Sequence, residues 1–335
     1  MKIGLIVPPD TPATGGNFVS AERLKLGLNR LGIDAQVERF HPHLGDYDVY
    51  HAWNAVQVGQ RLLNQGIEPE KILVTWTGTD LWGDWAKDPG PIRETLSSLR
   101  HQVVFTPNAR KRLLADAPQW ENRVHVIPPS VDETIFCPAD SSQKRDGPPL
   151  VVIAGGIRPV KRSAWAIELV QTARQTLATD FQLAILGPVR DWKEWERVWQ
   201  AAHDKPWVHV IGEVPKDQMG QWYQRATIVL NTSQIEGVSN ALMEAMSCGA
   251  LIVASNIHGN RYLIENGKTG LLFDTPEELI EAFRYALNHS KDADCIRKNA
   301  RMRILSRHLP TQEAQAYAMI YRQIAWSMCS KGCGV

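Results

Sequence analysis

The chain has 335 residues, 44% hydrophobic and 22% charged, which is long enough for two globular domains and excludes a disordered or fibrous protein. Its 37 basic and 36 acidic residues leave a net charge of +1, which excludes a global field for nucleic acid or an anionic membrane. Five scattered cysteines, a short N-terminal apolar run and no stretch of membrane-spanning length predict a soluble, cytoplasmic protein, with peripheral membrane contact left open.

The first half of the chain alternates short apolar runs with helical patterns. Lys2–Val7 predicts a strand, and a loop at Gly15, Gly16 and Asn17 joins it to a helix that ends near Gly32. Those glycines lack the Gly-x-Gly-x-x-Gly spacing of a dinucleotide fingerprint, so they either serve a ligand or provide backbone angles that other residues avoid. Further strands are predicted at 46–53, 72–76, 103–106 and 124–127.

Two polar side chains stand at predicted strand ends in this half. His51 lies at the end of one strand and Asp80 just past the next. Open parallel sheets bind ligands at the carboxyl ends of their strands, so both residues are candidates for a site. The alternatives are that His51 is a satisfied core residue and that Asp80 caps a helix.

The second half begins after a polar, turn-rich segment at 139–149, which predicts a linker. Beyond the strand at 150–154, a loop with Gly156 carries Arg158 and Lys161, where two cations can clamp a diphosphate. The alternative is that they are solvated loop charges. Three tryptophans at helical spacing are interpreted as packing or a domain contact rather than as a ligand platform: Trp192, Trp195 and Trp199.

A strand, turn, helix and strand unit at 227–254 holds the strongest pattern. Ser239 is expected to cap the helix and Gly237 to let the backbone approach a ligand, which predicts an anion site at the helix N-terminus. Glu244, about one turn into the helix, leans back towards the same mouth as Glu236. Since a carboxylate can accept hydrogen bonds from a ribose diol, the unit favours a nucleotide over a bare phosphate. The alternative is that both acids are solvated surface charges.

Strands that alternate with helices throughout predict an α/β fold with two Rossmann-like, doubly wound parallel sheets. The domains are expected at 1–143 and 148–310, with the ligand cleft between them. A C-terminal helix at about 311–335 is expected to return to the first domain. The pair Cys329 and Cys333 lacks a second pair of ligands nearby, so a free tail is expected rather than a metal site.

Residues 236–249 resemble the Glu-x7-Glu signature of the retaining nucleotide-sugar glycosyltransferases of family 4, which have the GT-B fold. The resemblance covers nearly the whole chain. It includes the glycine loop at Gly15 and Gly16, residues 126–132 and 265–272, and the diphosphate-binding pair Arg158 and Lys161. Two departures are the spacing of that pair, three rather than five, and Thr77 where many members carry a histidine.

The resemblance implies a role for each matching residue on the donor side. Glu244 would hold the ribose hydroxyls, Glu236 would face the sugar, and Gly212 and Val214 would line the base. Arg158 and Lys161 would stabilise the departing diphosphate without a metal, and Asp80 joins them and Glu236 as the catalytic residues. The remaining donor contacts would come from Gly16, Gly156, Gly237, Val238, Ser239 and Asn240.

On the acceptor side, the resemblance implies an acceptor held by the N-terminal domain. The acceptor-side residues would be Gly15, Asn17, His51, Trp53, Thr77, Thr79 and Asp80. A stacking surface for the acceptor is expected from Trp53, Trp76, Trp82 and Trp85. The acceptor itself, a small molecule, a glycan or a protein, stays open.

The implied reaction is front-face transfer of a sugar, with retention, from a nucleotide-diphosphate sugar that is expected to be uridine-linked; no other cofactor is implied. Residues 77–80, 156–161 and 257–260 are also similar to a smaller branch that holds single-domain vertebrate members and bacterial selenosugar synthases. A selenosugar or thiosugar synthase with a small inorganic or thiol acceptor is therefore an alternative. A non-catalytic nucleotide-sugar binding protein and a dehydrogenase are the others, although no Gly-x-Gly-x-x-Gly follows any predicted strand.

Overall fold

The computed structural model describes residues 1–139 and 147–332, with side chains as far as Met328. Most of the predicted linker, Cys333 and the side chain of Cys329 lie outside the described residues. The chain forms two compact units. Unit 1 comprises Met1–Ser130 and the chain from Arg307 onward, and unit 2 comprises Val131–Ser306.

Unit 1 is built on a six-stranded sheet in which all neighbouring strands are parallel and the order is β2-β1-β3-β4-β5-β6. The strands are β1 Lys2–Val7, β2 Asp34–Arg39, β3 Val49–Trp53, β4 Ile72–Thr75, β5 His101–Val104 and β6 Val124–Val126. The helices are α1 Gly16–Arg30, α2 Gln60–Asn64, α3 Trp85–Lys87, α4 Pro89–Thr95, α5 Pro107–Asp116 and α13 Pro310–Gly332.

Helix α13 packs closely on α1 within unit 1. A Cβ placed on Gly27 would lie 2.8 Å from the Cβ of Ala314, so the glycine permits the two helices to approach. The aromatic side of α13 covers the central strands, where Tyr317 and Tyr321 are fully buried. Strands β3 and β4 are buried along their whole length, as expected for the middle of a parallel sheet covered on both faces.

Unit 2 holds a second six-stranded parallel sheet, with the order β12-β11-β10-β7-β8-β9. The strands are β7 Leu150–Ala154, β8 Gln182–Leu186, β9 Val208–Gly212, β10 Ile228–Asn231, β11 Ile252–Ser255 and β12 Leu271–Phe273. The helices are α6 Ser163–Leu177, α7 Trp192–Ala202, α8 Lys216–Arg225, α9 Asn240–Ser247, α10 His258–Leu263, α11 Pro276–Asn288 and α12 Ser290–Arg307. The two sheets confirm the predicted α/β fold.

The chain enters unit 2 before the predicted linker. Val131 and Phe136 are buried in the core of unit 2, where the ring of Phe136 lies 6.2 Å from that of Tyr223. The carbonyl of Phe136 also accepts a hydrogen bond of 2.6 Å from Ser247 Oγ. These contacts hold residues 131–139 against the core of unit 2. The polar composition of the predicted linker could not reveal them.

Side-chain caps explain where several helices begin. Asp191 caps α7 by accepting from the backbone N–H of Glu194, and Thr275 caps α11, which starts with a proline. Ser239 Oγ accepts from the N–H of Leu242 at 3.4 Å, which confirms the predicted cap of α9. No helix within the described ranges is long and apolar enough to cross a membrane.

Candidate functional site

Two loops at the carboxyl ends of β7 and β10 are tied together in unit 2. The carbonyl of Val160 accepts from Gln234 N at 2.9 Å, and the guanidinium of Arg162 donates to the Thr232 carbonyl at 2.6 Å. In return, Thr232 Oγ1 donates to the Lys161 carbonyl at 2.8 Å. Three bonds in opposite directions fix the first loop against the second, so Lys161 is held by its backbone as well as by its side chain.

The side chain of Lys161 forms an ion pair with Glu236, and the two are only 13% and 10% exposed. Glu236 Oε1 also accepts from Ser233 Oγ at 2.8 Å and from Asn231 Nδ2 at 3.4 Å. Burial works to raise the pKa of Glu236, but the Lys161 ammonium and these hydrogen bonds outweigh it and lower the pKa. The carboxylate is therefore ionised near neutral pH. The structure brings Lys161 and Glu236, two of the predicted site residues, into direct contact.

Three polar residues that the sequence analysis did not select hold this loop in place. Asn260, which has no exposed surface, donates to Asn231 Oδ1 at 3.2 Å and to the Ser255 carbonyl at 2.9 Å. Ser255 Oγ donates to the Asn231 carbonyl at 3.0 Å. The available signal was polarity at the ends of two apolar strand runs, since Asn231 closes β10 and Ser255 closes β11.

The turn before α9 packs directly on the backbone of α10. A Cβ on Gly259 would lie 2.5 Å from the carbonyl oxygen of Glu236 and 2.7 Å from that of Gly237. Only glycine permits this approach, which fixes the turn that leads into the helix. Val238 packs against the core. Asn240 begins α9 directly after the Ser239 cap, so the helix starts four residues after Glu236.

Glu244, the second acid of the predicted pair, is held by a different partner. Its Oε2 accepts a hydrogen bond of 3.0 Å from the hydroxyl of Tyr223 on α8. Burial and the charge of Glu244 raise the pKa of Tyr223 well above its ordinary value, so this hydroxyl stays protonated and donates. Glu244 is half-buried, which leaves part of its surface open to a ligand.

The remaining predicted donor residues lie in loops of the same unit. Arg158 is half-buried, and its side chain makes no ion pair or hydrogen bond with any part of the chain that the structure describes. Gly156 lies against Arg190, whose Cγ would be 2.7 Å from an added Cβ. Gly212 ends β9 with φ +81°, and its carbonyl accepts from Gly187 N at 2.6 Å. Val214 packs at the margin of the core.

In unit 1, Asp80 is fully buried and organises the ends of β3 and β4. One carboxylate oxygen accepts from Thr77 N, Thr77 Oγ1 and Leu81 N at 2.7, 3.0 and 3.0 Å, and the other accepts from Ala55 N at 2.8 Å. Burial raises the pKa of Asp80 to about 6 against the effect of these bonds. The carboxylate thus faces the protein backbone and has no exposed surface.

Both loops that Asp80 joins are π-helical turns, Ala55–Gly59 and Asp80–Asp84, a rare conformation that is frequent at functional sites. Asn54, which precedes the first turn, has φ +96° and accepts from Gln57 N at 2.7 Å. Asn54 was not among the predicted site residues, because a positive φ at a non-glycine residue is not visible in composition or periodicity.

His51 is the satisfied core residue that the sequence left as the alternative. Its Nδ1 lies 2.7 Å from the Tyr321 hydroxyl and its Nε2 lies 2.7 Å from Thr75 Oγ1, which in turn lies 3.0 Å from the Tyr317 hydroxyl. Burial lowers the pKa of His51 to about 3, so the ring is neutral. Trp53 stacks on His51 at 5.2 Å and has no exposed surface either.

The predicted tryptophan stacking surface is wrong for three of its four members. Trp53, Trp76 and Trp85 are buried in the core of unit 1, and the last two donate to Gln102 and Asp116. Trp53 ends β3 and Trp76 directly follows β4, the central strands, which are covered on both faces. Trp85 on α3 packs against Trp76, with the ring centroids 5.2 Å apart. Trp82 is half-buried.

The interpretation of the second tryptophan group was packing or a domain contact, and packing is wrong for two of its members. Trp192 is 76% exposed and Trp199 is 58% exposed on α7, whereas Trp195 packs against the core. Helical spacing places these rings on one face, but it does not show whether another element covers that face.

The start of α1 carries the predicted glycine loop. Gly15 precedes the helix with extended backbone, Gly16 is exposed and Asn17 is half-buried. Thr79 is exposed and precedes the second π turn. Over residues 1–139 and 147–332, the structure contains no group of three or more histidine, cysteine, aspartate or glutamate residues that could hold a metal ion.

Residues 139–303 match the family model described as Glycosyl transferases group 1. The chain is 26% identical over 231 residues to glycosyltransferase 1 domain-containing protein 1 of Xenopus tropicalis, covering 66% of this chain and 67% of that protein. It is 28% identical over 167 residues to D-inositol 3-phosphate glycosyltransferase of Acidothermus cellulolyticus, covering 46% of this chain and only 37% of that enzyme.

Solved structures share the fold over nearly the whole chain. Sucrose-phosphate synthase from Thermosynechococcus elongatus superimposes with a TM-score of 0.78 at 16% identity, covering 98% of this chain and 100% of that one. Anabaena Alr3699/HepE in complex with UDP and glucose gives 0.77 at 15% identity, covering 96% and 99%. Together with the family match and the names of the relatives, this indicates that the chain is a transferase enzyme, a glycosyltransferase with the GT-B fold.

Proposed function

We propose that this enzyme moves a sugar from a nucleoside diphosphate sugar, uridine-linked, to an acceptor bound by unit 1. The observation that carries the proposal is the contact of Lys161 with Glu236 at the carboxyl ends of β7 and β10, beside the capped start of α9. Ligands of open α/β sheets bind at this edge. The similar Anabaena protein, whose structures hold UDP and UDP-glucose, supports the choice of donor.

The donor is recognised through its ribose and through its diphosphate. Glu244, oriented by the Tyr223 hydroxyl, accepts hydrogen bonds from the ribose diol. The start of α9 binds the phosphates, because the positive end of the helix dipole favours an anion there. The side chain of Arg158, which makes no hydrogen bond or ion pair with the described residues, is available to the diphosphate.

The chemical step separates charge, and the site is built to stabilise that charge. When the bond between the sugar and the diphosphate breaks, negative charge grows on the leaving oxygen, and the cations of Lys161 and Arg158 lower the energy of that state. Glu236, ionised and anchored by Ser233 and Asn231, accepts hydrogen bonds from sugar hydroxyls and orients the ring. Attack on the face that the leaving group vacates retains the configuration.

Unit 1 supplies the acceptor side of the proposal. Gly16 and Asn17 at the start of α1, and Thr79 before the second π turn, keep accessible surface. Asp80, His51 and Trp53 lie in the interior, so they shape this unit from within rather than through contact with the acceptor. Asp80 is the positioning residue, because it joins the loops that follow β3 and β4.

A thermal-shift series with UDP-glucose, UDP-N-acetylglucosamine, GDP-mannose and ADP-glucose tests the donor. We expect uridine-linked sugars to raise the melting temperature, because a ligand that binds only the folded state stabilises it. Glu244→Ala should abolish the increase while the unliganded protein still melts cooperatively. Slow release of UDP from the stabilising sugar on prolonged incubation would separate an enzyme from a binding protein. The proposal fails if no nucleotide sugar stabilises the protein.

A further inference from the structure

An open groove of about 500 Å³ lies in unit 2 between the end of α7 and the edge strand β9. Two tryptophan rings, Trp195 and Trp199, form one side. The polar residues His203, Asp204 and Lys205 also line it. The rest of the lining comes from Ala202, Pro206, Val208 and Val210.

The groove is separate from the Lys161–Glu236 site. All neighbouring strands in this sheet are parallel, and both site loops follow carboxyl ends, whereas the groove is formed where β9 begins, at Val208. The carboxyl and amino ends of parallel strands lie at opposite edges of a sheet. The groove therefore lies at the amino-terminal ends of the strands, and the proposed sugar transfer does not use it.

The aromatic groups of the groove follow one another along α7. The ring centroids of Trp195 and Trp199 are 6.4 Å apart, and Trp199 and His203 stack at the same distance with an interplanar angle of 29°. Trp199 is 58% exposed, although a ring of this size favours burial. A sugar ring matches such a surface, because its C–H face is apolar and its hydroxyl groups project at the rim.

Hydrogen-bonding groups line the same groove. His203 Nδ1 lies 3.0 Å from the carbonyl of Gln200, so a neutral ring that donates there has Nε2 as an acceptor. Lys205 Nζ and Asp204 Oδ1 pair at 2.6 Å and provide both a donor and an acceptor. Aromatic faces with a few convergent polar groups are the usual composition of a small-molecule site, and the volume lies in the usual range.

The charge of the residues around the groove distinguishes a glycan from a membrane surface as its ligand. The segment 190–205 carries four basic and four acidic residues, which cancel. An interfacial helix that binds anionic lipid is instead rich in lysine and arginine on its polar face. We propose that the groove formed by Trp195, Trp199, His203, Asp204 and Lys205 binds a neutral oligosaccharide, as a second carbohydrate site of this protein.

The experiment uses the full-length protein and three neutral probes: maltohexaose, cellohexaose and chitohexaose. We expect at least one to bind, measured by calorimetry or by saturation-transfer NMR, and Trp199→Ala to weaken its binding roughly tenfold or more, since most of the stacking area is lost. Trp326→Ala is the matched control, because Trp326 is 78% exposed in the other unit and does not line the groove. It should leave binding unchanged.

Saturating UDP and the variant Lys161→Met distinguish this site from the transfer site. Oligosaccharide binding that persists in both supports the groove, even if the proposed transfer function is wrong. Binding that requires UDP or Lys161 would assign the oligosaccharide to the transfer site and overturn the proposal. The proposal is also overturned if none of the three probes binds, or if Trp199→Ala binds them as well as the wild type does. It is overturned too if Trp199→Ala no longer sediments with phosphatidylserine vesicles but still binds the sugar.

Discussion

Lys161 and Glu236 are 75 positions apart in the sequence, yet their charged groups are in direct contact and both are nearly buried. Each charge compensates the other at a position where water can solvate them only in part. Removal of one partner from such a pair leaves an uncompensated charge, which costs more than the pair contributes as a whole. The pair therefore has separable effects on stability and on catalysis.

The single change Lys161→Met should lower turnover by about 100-fold to 1,000-fold, the loss typical of one group that stabilises transition-state charge. It should also destabilise the protein by about 3–5 kcal/mol, because the buried Glu236 loses the cation that compensates its charge. The double variant Lys161→Met with Glu236→Gln should recover most of that stability but none of the activity. Urea unfolding and initial-rate measurements check the two effects. Full activity in the single variant would contradict a role for Lys161 in transfer.

Tyr223→Phe should weaken UDP binding about tenfold with little change in kcat. The ring and its packing remain, but the hydroxyl that orients Glu244 from 3.0 Å is lost, and hydrogen bonds to charged groups are worth about 1.5–3 kcal/mol. The effect should appear in the donor KM and in the UDP dissociation constant from calorimetry. Tyr285→Phe, in the same unit, is the control and should change neither. An unchanged UDP affinity in Tyr223→Phe would show that Tyr223 does not position a donor contact.

The fold could be predicted because its pattern is local. Apolar runs such as Lys2–Val7 and Leu150–Ala154 coincide with β1 and β7, since a buried parallel strand is apolar along its length. Strand β2, Asp34–Arg39, was not predicted, because this edge strand is mostly polar and half exposed. The strand predicted at 103–106 was placed two residues too late, since β5 is His101–Val104.

Site residues could be predicted only where a local sequence pattern marks them. Lys161 follows a strand and a glycine loop, and Glu236 precedes a capped helix, so each was visible alone. The support from Asn231 and Asn260 depends on contacts between separate strands, which no local pattern shows. The burial of Trp53 depends on which strands are central in the sheet, and strand order is a tertiary property.

Gly259→Ala should reduce transfer on the order of 100-fold. Its Cβ would meet the carbonyl oxygens of Glu236 and Gly237 at 2.5 and 2.7 Å, and a backbone contact cannot rotate away, so the turn must move. A displacement of about 1 Å at a site costs rate of this size. Gly220→Ala on α8 is the control, since its Cβ would lie 3.4 Å from the nearest atom. Initial rates and melting curves check both, and equal rates in the two variants would contradict the argument.

Asp80→Asn should change how stability depends on pH. Burial raises the pKa of Asp80 from 3.8 to about 6, so its favourable contribution is fully present below the unfolded value and is lost as pH rises through about 6. That rise corresponds to about 3 kcal/mol. The variant cannot ionise, but its amide cannot accept from both sides, which leaves the Ala55 N–H without an acceptor and costs about 1–3 kcal/mol at every pH.

Urea unfolding of both proteins at about pH 4.5 and about pH 7.5 checks this prediction. The deficit of Asp80→Asn should be largest at the lower pH and should shrink at the higher pH, where the wild type bears a buried charge. Asp88→Asn, an exposed acid of the same unit, is the matched control and should show no such trend. If the deficit of Asp80→Asn is instead larger at the higher pH, the four hydrogen bonds outweigh burial, and Asp80 holds the two π turns as an ionised group.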